Sequence, residues 1–138
     1  MDDNEESSSI FDNLNSKINI KIKKTYIDDV NYMNNLYGNI NYDNNKINSL
    51  NLESTFPNEK KINLSVETRN NSETITRLFS SYPKPLIGRY DFIKGFEEGY
   101  LDFYSSKKDG VSNSVLIIDN FKVKEVPIFA KLLSLASL

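Results

Sequence analysis

At 138 residues the chain has room for one domain with a modest core. Its net charge of -2 argues against a broad electrostatic nucleic-acid binder, which carries a basic surplus. Cysteine and histidine are both absent, which excludes disulfides and thiolate metal sites and removes the commonest metal ligand and general base.

Residues 1–13 are acidic and serine-rich, a composition that predicts a disordered tail, and they lack the basic and apolar regions of a signal peptide. No apolar stretch reaches the ~18–20 residues of a membrane span. Residues 14–138 are expected to form a single β-rich domain.

The clearest strand signal is at residues 16–24, where Ile18, Ile20 and Ile22 alternate with polar residues, giving one apolar face and one wet face. Residues 25–35 read as an extended or looping connection. Residues 36–42 follow as a strand with Ile40 and Tyr42 on one face and Gly38 as a candidate bulge. Asp43-Asn44-Asn45 is turn chemistry. The chain returns over residues 46–55 with Leu50 and Leu52 inward, and Ile47, out of phase with them, predicts a bulge or a frayed start. Residues 61–68 make the next strand, with Ile62, Leu64 and Val66 in strict alternation.

Ser72 is placed to cap a short helix over residues 73–81, where Ile75, Leu78 and Phe79 form one stripe, with Pro83 and Pro85 ending it. Residues 86–96 are ambiguous and aromatic. Residues 100–105 read as a strand, and Asp109-Gly110 is a strong hairpin signal into a partner strand over residues 115–123. Within that partner, Val115–Ile118 has the continuous apolar run of a strand covered on both faces, and Asp119-Asn120 interrupts it. Pro127 then opens an apolar helix through Leu138. The pattern gives a mainly β (α+β) fold: about six strands in an antiparallel meander or curved groove sheet, with one short internal helix and a C-terminal helix.

No catalytic or metal constellation emerges. Asp28-Asp29 and Glu97-Glu98 are neighbours that diverge on a strand, so solvent-facing charge is their ordinary reading. Gly95-Phe96-Glu97-Glu98-Gly99 lacks the Lys-Ser/Thr of a phosphate loop and reads as a turn into a strand. Without histidine there is no Ser-His-acid arrangement. The aromatic group from Tyr82 to Tyr104 lacks interleaved arginines, which favours packing over base stacking. The alternating Ile/Leu/Val face has two readings: the inside of a sandwich, or an apolar groove filled by lipid.

Residues 92–138 resemble the C-terminal region of the AsmA-like proteins, particularly the YhdP type. The match runs through Gly99-Tyr100-Leu101, Gly110, Ile118-Asp119-Asn120-Phe121 and, most specifically, Val126-Pro127-Ile128-Phe129-Ala130-Lys131-Leu132-Leu133-Ser134-Leu135-Ala136-Ser137-Leu138. Residues 73–81 look like the family's short helix and residues 17–68 like its strand ladder. Pro83-Lys84-Pro85-Leu86 looks like an addition, and Val126 stands where the family has a small residue.

The resemblance implies a fragment of a longer β-groove that conducts phospholipid between membranes, in the periplasm or cell envelope of Gram-negative bacteria. It implies a non-enzymatic role in lipid transport or outer-membrane maintenance, without cofactor or metal. The implied groove lining is Ile18, Ile20, Ile22, Ile40, Tyr42, Leu50, Leu52, Ile62, Leu64, Val66, Leu101 and Phe103, and the implied motif helix carries Pro127, Phe129, Leu132, Leu133, Leu135 and Leu138. The expected partners are phospholipid acyl chains and the remainder of an AsmA-like chain, with no nucleic acid and with membrane contact only through missing segments. The alternative is a stand-alone β-rich protein-interaction module with its apolar face buried against a partner.

Overall fold

The computed structural model describes residues 15–44, 46–89 and 95–123. The acidic tail and the motif helix beginning at Pro127 lie outside the described residues.

Seven strands follow one another as an antiparallel meander, each paired to its sequence neighbours: β1 Ser16–Tyr26, β2 Tyr32–Asp43, β3 Lys46–Thr55, β4 Lys61–Thr68, β5 Thr74–Ser80, β6 Phe96–Lys108 and β7 Val111–Val123. One short helix, α1 (Lys84–Arg89), lies between β5 and β6. Among the described residues there is one sheet, and its order is that of the sequence. Local pairing of this kind needs only short loop closures.

The turns follow the local chemistry. Asp109 and Gly110 both take positive φ, 51° and 75°, between the paired Lys108 and Val111, which is the two-residue hairpin geometry that matches strand twist. Asp43 pairs with Lys46 across a turn containing Asn44 in the left-handed region. Asp28 holds the β1–β2 turn. Its carboxylate accepts from the N–H groups of Val30 (2.8 Å) and Asn31 (2.6 Å) and from the Asn31 side chain (2.7 Å). The Asn31 side-chain bond, followed by the backbone bonds, lowers the Asp28 pKa.

Four expectations need correction. Residues 74–80 form the strand β5, not a helix, and Ser72, expected as a cap, sits at positive φ. Pairing to β4 on one side and β6 on the other satisfies the backbone of these residues along both edges. The internal helix is instead α1, which Pro83 and Pro85 introduce rather than follow a helix that they end: Pro85 falls in its first turn, where a missing N–H is harmless, and the Pro83 carbonyl accepts from Leu86 (3.0 Å) and Ile87 (2.9 Å). Residues 25–35 are mostly strand, because β1 continues to Tyr26 and β2 begins at Tyr32. Finally, Val115–Ile118 is not covered on both faces. Val115 is 55%, Leu116 45% and Ile117 49% exposed, and β7 is the outermost strand among the described residues.

The β2–β3 pairing shifts register between Asn41 and Tyr42, which brings Ile47 opposite Tyr42 and accounts for the broken phase of β3. Nearby, Gly38 permits a close approach of backbones: a Cβ there would stand 1.8 Å from the Asn51 carbonyl oxygen. Gly38→Ala is therefore expected to cost roughly 3 kcal/mol or more, measured by chemical denaturation, with loss of β2–β3 amide protection in hydrogen exchange.

Candidate functional site: one apolar face of an open sheet

Opposed residues in an antiparallel ladder share a face, so the register alone defines what each face carries. One row runs Ile20, Gly38, Leu52, Leu64, Leu78, Phe103, Leu116 across all seven strands. A second begins Ile18, Ile40, Leu50, Val66 and ends Thr76, Ser105, Ser114. A third pairs Ile22 with Leu36 and, on β3 to β7, continues Ser54, Ile62, Ser80, Leu101, Ile118. Tyr42 joins this face beside Ile47. All twelve residues named as groove lining thus stand on the same face. Leu36, Leu78, Leu116 and Ile118 stand with them and were not singled out. The opposite face is polar across β1 to β4, with Asn19, Asn39 and Asn51 in one row and Glu53 and Asn63 in another, but mixed across β5 to β7, where Ile75, Phe79, Val115 and Ile117 stand beside Arg77 and Asp102.

The two ends of the apolar face differ. The β1–β2, β3–β4 and β5–β6 connections all lie at one end, and there the chain folds over the sheet. Ile87 of α1 packs with Phe96 and Leu101, against Leu78, Phe103, Ile118 and Phe121. Phe56 is buried in the β3–β4 turn and meets Tyr82 edge-on at 5.3 Å. The Arg89 guanidinium donates to the Ile27 carbonyl in the β1–β2 turn, tying α1 to the far side of the sheet. Ser54 and Ser80, which a purely alternating pattern would make apolar, are buried at this end. The Ser54 hydroxyl donates to the Asn34 carbonyl at 2.8 Å, and the Ser80 hydroxyl accepts from the Tyr82 N–H at 3.2 Å. Their small volume leaves room for the cap, and their hydroxyls are satisfied.

Away from the cap the apolar face is open. Ile18 is 48% and Ile22 44% exposed, while the cap region holds the fully buried side chains. Among the described residues, no group of three or more carboxylates, cysteines or histidines is placed to hold a metal ion, and no helix is long and apolar enough to cross a membrane. Glu98 pairs with Lys122 at 3.6 Å on the surface, where such a pair contributes little. The alternation of β1, β3 and β4 was enough to find most of the face. Leu78 and Leu116 were missed because β5 was read with helical spacing and β7 as buried on both sides.

Compared with known proteins, the chain matches no protein-family model, no curated protein and no solved structure.

The cap is the part of the face held by tertiary packing. Ile87→Ala is expected to cost about 2–3 kcal/mol in denaturation and to release protection at residues 84–89 before that of β2–β4.

Proposed function

We propose that this chain is a non-enzymatic acyl-chain carrier, a segment of an AsmA- or YhdP-like envelope protein whose open apolar face shields phospholipid tails. The observation that carries the reading is the register. It lines up isoleucine, leucine, valine and phenylalanine over seven strands on one side of a sheet that has no opposing layer among the described residues. Seven strands span about 29 Å at the usual strand spacing, ample for a lipid tail to lie across them. Each methylene moved from water to such a face gains about 0.8 kcal/mol, so a tail of about sixteen carbons gains on the order of 10 kcal/mol before ordering costs. The cap makes the site one-ended, with Ile87, Phe96 and Leu101 closing it at the α1 end and tails entering from the hairpin end or across the strands. Residence in the periplasm and membership of a longer groove are part of the same proposal.

Lipid extraction after native purification tests it. The folded wild-type chain should retain phospholipid, and Ile20→Asp, at the β1 end of the row that reaches Leu116, should lose most of it while its far-UV circular dichroism is unchanged. Equal lipid content in the two would show that this face is not the carrier.

Among the described residues β7 is the outer strand, and its edge favours a second reading, a protein-interaction module that adds a strand. Between Val111 and Ile118 it carries no charge and no proline, the devices that normally blunt an edge. In that case Ile117→Lys should abolish self-association or partner capture in analytical ultracentrifugation and leave lipid content alone. A wild-type chain that is monomeric and binds no protein would remove this reading.

A further inference from the structure

The open face of the sheet and the sequence that follows β7 share one character. Residues 127–138 are apolar apart from Lys131, Ser134 and Ser137, and Lys131 is their single charged side chain. The spacing of Ile128, Phe129, Leu132, Leu133, Leu135 and Ala136 predicts a helix, and a helix of this composition needs an apolar surface to lie on.

The end of β7 points this segment to one seat. Phe121 packs against the Ile87, Phe96 and Leu101 cluster on the apolar side, its ring centroid 5.5 Å from that of Phe96, and Val123 pairs with Phe96. The row Leu64, Leu78, Phe103, Leu116 adjoins this cluster, and Leu116, on the outermost described strand, is 45% exposed. The reach also fits. From Leu116 to Val123 the strand runs about 23 Å at the usual rise. Residues 124–126 span at most ~10 Å and residues 127–138 about 18 Å as a helix, so a chain folded back at the cap end passes over this row.

We infer that residues 127–138 dock on the apolar face of their own sheet, folded back beside α1 over Leu78, Phe103 and Leu116. A segment tethered within reach acts at a high effective concentration, so it outcompetes a free partner of similar character. The opposite face is the poorer seat, since Asp102 stands beside Phe79 and Ile117 there and β1 to β4 present asparagine and glutamate. A helix is about 10 Å wide, whereas seven strands span about 29 Å. The face over β1 to β3 therefore stays open for the acyl-chain role proposed above, on which this inference does not depend.

The chain has no cysteine, so a cysteine pair introduced into it reports on itself alone. Leu116 and Ile117 are neighbours on β7, 45% and 49% exposed, and stand on opposite faces. Leu133→Cys is combined with Leu116→Cys or with Ile117→Cys in the full chain, oxidised at dilute concentration, and read by intact mass and peptide mapping. The Leu116→Cys pair should close an intramolecular disulfide roughly ten-fold faster than the Ile117→Cys pair, because bridging needs Cα atoms within about 7 Å. Leu132→Cys in place of Leu133→Cys repeats the comparison from the adjoining helical position, and a preference from either one supports the docking. Equal rates, or a faster Ile117→Cys pair, with both tail cysteines overturn it. Disulfides formed mainly between two molecules also overturn it and name a second copy as the occupant. Leu132→Glu/Leu133→Glu leaves the described sheet untouched and serves if a cysteine pair does not fold. Binding of a hydrophobic dye should then rise several-fold over wild type, and unchanged dye binding overturns the inference.

Discussion

A strand's side chains alternate with a period of two, so a slip of one residue in any of the six pairings would turn an apolar row to the polar side. Everything attributed to this sheet depends on that register holding from β1 to β7. Three devices hold it. The Asp109-Gly110 turn allows two residues and no more between Lys108 and Val111. The Gly38 contact fixes β2 against β3, because no other residue lets the Asn51 carbonyl come so close. The bulge between Asn41 and Tyr42 absorbs an extra residue and returns Ile47 to the apolar side.

Register explains why the face is legible from β1 and β4, where Ile18, Ile20, Ile22 and Ile62, Leu64, Val66 leave one consistent reading. It also explains the failure at β5. In Thr74-Ile75-Thr76-Arg77-Leu78-Phe79-Ser80 the spacing of Ile75, Leu78 and Phe79 fits one side of a helix. The sheet instead places Leu78 with Leu64 and Phe103 and turns Ile75 and Phe79 the other way. Nothing local to those seven residues distinguishes the cases; the free edges of β4 and β6 do. Similarly, Val115-Leu116-Ile117-Ile118 has the composition of a buried strand, yet lies at a sheet edge, because position in the strand order is not written in a strand's own residues.

The small core follows from the same arrangement. Few apolar side chains are fully buried, and Ile87, Phe96 and Leu101 form a cluster beneath α1. Most of the apolar surface in β1 to β4 gains nothing from a second layer. The backbone ladder and cross-strand pairs hold these strands, each pair worth roughly 0.2–1 kcal/mol. The cap supplies concentrated packing at one end, and the Arg89 bond to the Ile27 carbonyl extends its hold to the first hairpin.

The two edges complete the physical picture. β1 carries Lys17, Lys21, Lys23 and Lys24, and the Lys24 ammonium lies 3.9 Å from the centroid of the Tyr32 ring. Lysines along an edge repel an added strand, so the sheet resists extension on that side. β7 has no such guard from Val111 to Ile118, and exposes apolar side chains on both of its faces. Apolar surface on the broad face attracts ligands without direction, whereas open N–H and C=O groups at an edge require a strand as their partner. Among the described residues the sheet is therefore guarded along β1 and carries no such charges along Val111 to Ile118 of β7.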